Sequence, residues 1–203
     1  MKRRFLCITV LIIALTSCNG NKENKKDKVD SAQTISKTRA MENQDFTTTL
    51  IVDQSPEKVF NAINNVRGWW SEEIEGNTSK LNDEFSYHFE DVHRCKIKLI
   101  EVVPNKKVVW LILDNYFKFT KDASEWKGTK VIFDIVEKDG KTELHFMHQG
   151  LVPTYECYQI CKDAWTNYIH NSLANLITTG KGKPNGKGKP QTENEKKLAT
   201  DKS

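Results

Sequence analysis

The sequence predicts an α+β domain in which one curved antiparallel sheet wraps around a long C-terminal helix. Three observations predict it. Between Phe46 and His148, short segments alternate apolar and polar residues with period two, as strands do when one face is buried and the other wet. From about Tyr155 to Ile177, apolar residues instead recur at three- and four-residue steps. The strands precede the long helix as a block rather than alternating with helices, which excludes a parallel βαβ sheet.

Each element follows in order. Phe46-Thr47-Thr48-Thr49-Leu50-Ile51-Val52 is rich in β-branched and aromatic residues and predicts a first strand. Ser55-Pro56-Glu57-Lys58 predicts a helix start, with a serine cap and proline at the first helical position. Val59, Phe60 and Ile63 give that helix an apolar face, and Gly68-Trp69-Trp70 ends or kinks it. Phe85, Tyr87 and Phe89 then alternate with polar residues, as do Cys95, Ile97 and Leu99. Val108 to Leu113 is continuously apolar. Val131, Phe133 and Ile135 form one further alternating set, and Leu144, Phe146 and His148 the last. Asp139-Gly140 predicts the tight turn of a hairpin between these two strands. Asp114 to Lys127 has no period and holds Tyr116, Phe117, Phe119 and Trp126, which predicts a long aromatic connection.

In the final helix, Cys157, Ile160, Cys161, Ala164, Trp165, Tyr168, Ser172, Leu173 and Leu176 form one stripe, and Gly180 stops it. At about 1.5 Å per residue it spans roughly 34 Å. Only the inner face of the sheet offers an apolar surface of similar length.

The ends of the chain read differently. Lys2, Arg3 and Arg4 precede an apolar run from Phe5 to Leu15, the pattern of an export signal. That run is too short to span a membrane, which takes roughly 20 residues. Leu15-Thr16-Ser17-Cys18 resembles the lipobox of bacterial lipoproteins. The resemblance implies cleavage after residue 17, lipidation of Cys18, and a lipid-anchored protein of the cell envelope, on its periplasmic side. Residues 18–44 then read as a flexible tether, 45–179 as the folded domain, and the Lys/Gly-rich segment 180–203 as a disordered tail. Translation from Met41 would instead give a cytoplasmic domain without signal or tether.

The chain carries net charge +4, but residues 1–44 hold +5 and residues 180–203 hold +4, so the folded part is acidic at −5. An acidic fold argues against a nucleic-acid-binding face. Of five cysteines, Cys7 lies in the signal and Cys18 is the lipidation site; Cys95, Cys157 and Cys161 remain, too few for a disulfide scaffold.

Ser55-Pro56-Glu57-Lys58-Val59-Phe60 with Trp69-Trp70, followed by Ala164-Trp165, Ser172-Leu173 and Gly180, resembles the START/SRPBCC superfamily. Within it the sequence is similar to the C-terminal-like domain of the activator of heat-shock-protein ATPase. The resemblance covers Phe46 to Gly180 and implies a helix-grip fold. It also implies a cavity between sheet and helix that takes a small hydrophobic or amphipathic ligand. Residues placed to line it are Trp69, Trp70, Phe89, Trp110, Phe117, Trp126, Phe146, Tyr158, Trp165 and Tyr168. The expected role is a membrane-tethered binding protein; the alternatives are a non-catalytic, co-chaperone-like interaction module and a cavity enzyme or zinc-binding domain.

The zinc alternative rests on spacing. His93 and Cys95 share one strand face and Cys157 and Cys161 share one helix face, so three thiolates and an imidazole can meet as a tetrahedral set, with His148 in reserve. The expected cofactor is nonetheless none, because buried cysteine is also a small apolar residue. For catalysis the sequence has no Ser-His-Asp order, no Gly-x-Ser-x-Gly and no phosphate-binding glycine loop, so no catalytic residue is assigned.

Overall fold

The structure, a computed structural model, describes residues 44–189 and 192–200. The expected signal, the lipidated Cys18, nearly all of the tether and the Met41 start lie outside the described residues.

The described residues build one seven-stranded antiparallel sheet in the order β1-β7-β6-β5-β4-β3-β2. Its strands are β1 (Phe46–Val52), β2 (Ile74–Gly76), β3 (Glu84–Phe89), β4 (His93–Val103), β5 (Lys107–Phe117), β6 (Lys130–Lys138) and β7 (Lys141–Gln149). The alternation read from the sequence is the alternation of burial. Phe85, Tyr87 and Phe89 are buried while Ser86 and His88 are not, and β6 and β7 behave alike. Asp139 and Gly140 both adopt positive φ, 53° and 74°, as the tight β6–β7 hairpin requires.

Helix α1 (Pro56–Asn64) starts as expected: the Ser55 hydroxyl accepts the Lys58 N–H at 3.3 Å. Val59, Ala62 and Ile63 face the core. A short 3-10 turn (Val66–Gly68) delivers Trp69 and Trp70 into the interior, where the Trp69 indole N–H donates to the Ile63 carbonyl at 3.1 Å. The long helix is continuous but not uniform. It runs as α2 (Tyr158–Asn167), passes through a π-helical turn (Tyr168–Leu173) and ends as α3 (Ala174–Thr179) at Gly180, whose φ of 78° allows the stop. Cys161, Trp165, Tyr168, Ile169, Ser172, Leu173 and Ile177 form its buried stripe on the concave sheet. This is the α+β helix-grip arrangement.

Two expectations change. The stretch from Asp114 is not all connection: β5 continues through Phe117 paired with β4, while β6 begins only at Lys130, opposite Leu111. Beyond that pair residues 118–129 run beside β5 as turns. Ile112 donates its N–H to the Thr129 carbonyl at 3.0 Å, and Phe117 donates to that of Ala123 at 2.8 Å.

Of the tail, the described residues 181–189 and 192–200 are ordered. Residues 181–189 run as a strap beside Ser71, and α4 (Glu193–Thr200) follows. The Ser172 hydroxyl donates to the Trp69 carbonyl at 2.6 Å and accepts the Lys183 N–H at 2.8 Å. Asn185 donates its backbone N–H to the Trp70 carbonyl at 2.9 Å. Glycine here serves close approach rather than flexibility, since a Cβ at Gly182 would strike the Gly68 carbonyl. Thr192 and Glu195 make a reciprocal cap for α4: Thr192 Oγ1 donates to Glu195 Oε2 at 2.8 Å and accepts the Glu195 N–H at 3.2 Å. Among the described residues no helix is long and apolar enough to cross a membrane.

Candidate ligand cleft

The site lies where β5 extends past the start of β6. There the inner face of β3, β4 and β5 faces α2 across a cleft. The connection 118–129 closes one wall and contributes Phe119 and Trp126. Its Glu125 also holds the long helix in place. Buried at 8 % exposure, its carboxylate accepts the N–H groups of Glu156 at 2.6 Å and Cys157 at 2.9 Å, just ahead of α2. Those donors have no partner within the helix, so a carboxylate there satisfies them and the helix dipole together.

The cleft holds a cavity of about 40 Å³. A water needs roughly 10–15 Å³ by this measure, so the closed space takes about three waters and no lipid chain. Six of the ten expected lining residues meet there: Trp70, Phe89, Phe117, Trp126, Trp165 and Tyr168. Trp69, Trp110 and Phe146 do not. They are fully buried in the neighbouring core, where Trp69 stacks on Trp110 at 6.2 Å and Phe133 bridges Trp110 to Phe146. Tyr158 also lies away from the cleft, beside Phe46 and Pro153. Its position at the first turn of α2 puts it one helical face off the stripe.

The sequence reading did not place Tyr87, Val92, His93, Phe119, Ile160, Cys161, Ala164, Glu195 or Leu198 in the lining. Tyr87 had a signal, since it alternates inward with Phe85 and Phe89. Glu195 and Leu198 had none while the tail was read as disordered.

The polar groups of the site are ordered by burial. His148 is fully buried behind the cleft. Trp165 donates its indole N–H to His148 Nδ1 at 3.0 Å, so the ring carries its proton on Nε2 and donates it to Thr129 Oγ1 at 2.9 Å. Thr129 passes its own proton to the Trp126 carbonyl at 2.5 Å. Both ring nitrogens are committed, which makes His148 a structural residue rather than a base or a metal ligand. Burial, with a smaller contribution from His93, lowers its pKa to about 3. His93 is likewise lowered to about 3 by burial, partly offset by its 3.1 Å hydrogen bond to Asn115.

The four-ligand zinc set is not assembled. Among the described residues no three His, Cys, Asp or Glu side chains are grouped to hold a metal. His93 Nε2 is spent on Asn115 and rings surround it: Tyr87 at 5.1 Å, Phe117 at 4.4 Å and Trp126 at 5.0 Å. Cys95, Cys157 and Cys161 are free, buried thiols, and burial pushes Cys95 and Cys161 away from ionisation.

The Trp126 indole N–H faces the Cys161 thiol, which partly offsets the rise that burial imposes on that thiol's pKa, and the Asn185 amide sits behind Tyr168.

The α4 helix covers the mouth. Leu198 packs against the cavity rings and Glu195 lines its rim. Tyr168 donates its hydroxyl proton to Glu195 Oε1 at 2.9 Å and accepts Asn185 Nδ2 at 2.6 Å. Burial raises the pKa of Tyr168 and of Tyr87, so both phenols remain protonated donors.

Comparison with known proteins agrees with this fold. A family model described as "Activator of Hsp90 ATPase homolog 1-like protein" matches residues 53–178. No curated protein sequence matches the chain. Among solved structures, the solution structure of the Aha1 dimer from Colwellia psychrerythraea is similar, with TM-score 0.56 and 21% identity over 68% of this chain and 99% of that one. The protein SSP2350 from Staphylococcus saprophyticus is similar with TM-score 0.51 and 17% identity over 69% and 96%. Mll3558 from Rhizobium loti has TM-score 0.51 and 13% identity over 66% and 96%. Likeness at these identities establishes the fold alone.

Proposed function

This chain belongs to the Activator of Hsp90 ATPase homolog 1-like family, and from that premise we propose that it binds a small amphipathic molecule in the cleft between β3–β5 and α2. The observation that carries this reading is an aromatic cleft between sheet and helix that keeps a small void with the Tyr168 hydroxyl at its rim. An incoming molecule with an apolar body and a few polar atoms suits it, since such sites are mostly apolar with a few placed polar groups. Binding requires the mouth to open, because about 40 Å³ does not hold such a molecule. Lipidation of Cys18 would hold the domain at a membrane surface, which is the supply of amphiphiles the reading requires; the Leu15-Thr16-Ser17-Cys18 motif supports this anchor.

The interaction-module alternative lacks a comparable feature. The exposed large apolar residues among those described are Ile51, Leu81, Val103 and Val136, and none of them lines the cleft.

Three tryptophans line the cleft, so their emission reports occupancy. The test is a tryptophan-fluorescence titration with single-chain amphiphiles below their micelle concentrations. Saturable change at one molecule per chain is the expected result. No saturable change with any head group contradicts the reading.

A further inference from the structure

The segment seated on the cleft describes what the cleft accepts. The α4 helix presents two side chains to it three residues apart: the Leu198 alkyl group against the rings, and the Glu195 carboxylate at the rim. The carboxylate is received by a built relay. Asn185, itself 3 % exposed, donates to the Tyr168 oxygen at 2.6 Å, and Tyr168, 2 % exposed, donates to Glu195 Oε1 at 2.9 Å. The π-helical turn begins at Tyr168, a departure from regular helix that often marks a functional site.

We propose that the ligand is an amphipathic monocarboxylate, an anion on an alkyl or aryl body, and that α4 occupies its place as a built-in stand-in that must lift for it to enter. The inference rests on the cleft being the ligand site proposed above. The ligand carboxylate takes the position of Glu195 on the Tyr168 hydroxyl, and its apolar body takes the position of Leu198 and continues into the void toward Trp126. A hydrogen bond to an ionised acceptor is about twice as strong as one to a neutral acceptor, so the relay favours a carboxylate over an alcohol of equal length. The Asn185 side chain strengthens the choice: donating to the Tyr168 oxygen makes that hydroxyl a better donor.

Glu195 holds Tyr168 by one oxygen while its other oxygen caps its own helix, and Asn194 Nδ2 donates to Asp163 Oδ2 on α2 at 2.9 Å. Apart from Glu195 and Leu198, the residues that line the cleft all precede Gly180, so removing α4 uncovers the mouth and leaves the sheet, the long helix and the 118–129 connection as its walls.

The experiment titrates dodecanoate, dodecanol and dodecyltrimethylammonium into the full chain, the Leu198→Asp variant and a variant lacking residues 192–203. If the stand-in keeps nine-tenths of molecules closed, both variants bind dodecanoate about tenfold more tightly than the full chain. In the same variants dodecanol binds about tenfold more weakly than dodecanoate, and adding Tyr168→Phe removes that preference while leaving dodecanol affinity in place. Equal binding of all three amphiphiles overturns the carboxylate assignment but leaves the cleft as a ligand site. Equal dodecanoate affinity in the full chain and both variants overturns the role of α4. Binding of none of the three by any variant overturns the ligand site itself. Circular dichroism of each variant checks that the domain remains folded.

Discussion

Trp165 donates its indole N–H to His148 Nδ1 at 3.0 Å, joining the long helix to the last strand of the sheet through one buried hydrogen bond. The contact sets the histidine tautomer and continues through Thr129 to the Trp126 carbonyl, so helix, sheet and connecting loop share a single polar chain. Trp165 also stacks near Trp126 at 5.8 Å and touches Trp70 at 5.2 Å, which makes it the hinge between the cleft and the core.

Trp165→Phe keeps most of the ring but strands His148 Nδ1 in the interior. A buried polar atom left unpaired costs about 1–3 kcal/mol, to which the lost indole volume adds. Urea denaturation is expected to show a loss in that range. A change below about 0.5 kcal/mol, the size of an ordinary surface substitution, would show that the hydrogen bond contributes little.

Acid should unfold this domain through its histidines. His148 and His93 are held to about 3 in the fold, against an unfolded value near 6.5. Between pH 6.5 and 3 the unfolded chain binds more protons than the native one, so stability is full above pH 6.5 and falls as the pH drops. The slope approaches about 1.4 kcal/mol per pH unit for each histidine. Denaturant titrations at pH 7.5, 6 and 5 measure it. A flat profile, or ring resonances of His148 that titrate above pH 6 in the native protein, would contradict the buried neutral ring.

Glu125→Ala removes the acceptor for two N–H groups at the start of α2. A lost helix cap costs about 0.5–2 kcal/mol. Hydrogen exchange should therefore speed up first at Glu156 and Cys157, with the centre of the helix less affected. Uniform acceleration along the helix would assign Glu125 to global stability instead.

Gly182→Ala should detach the strap, because the added Cβ meets backbone at Gly68 rather than a side chain that can move. The expected readout is faster proteolysis within residues 181–189 with little change in the unfolding midpoint of the domain. Unchanged protection would mean that the strap does not lie against Gly68 and Ser172.

The strands and the helix stripe could be read because each element is buried on one side only, which forces its polar and apolar residues into register. Trp69 and Trp70 show where such reading stops. They are neighbours of the same type, yet Trp69 stacks in the core and Trp70 lines the cleft. Only the 3-10 turn that carries them decides which is which. The cleft itself lies where β5 runs on past the start of β6, an offset of strand ends with no signature in either strand. The tail was misread because glycine and lysine signal solvent, whereas Gly182 is there for a backbone contact. The Thr192-x-x-Glu195 cap of α4 was present in the sequence and marked a helix start.

Native mass spectrometry of the purified protein and its Ala164→Phe variant tests the ligand cleft most directly. Ala164 lines the void from the helix side, so a phenyl ring there takes up the space the ligand body would occupy. The account predicts a co-purifying or added amphiphile at one per chain in the protein and none in the variant. Equal retention by both, or none by either after exposure to the amphiphiles, would contradict a ligand site in the cleft.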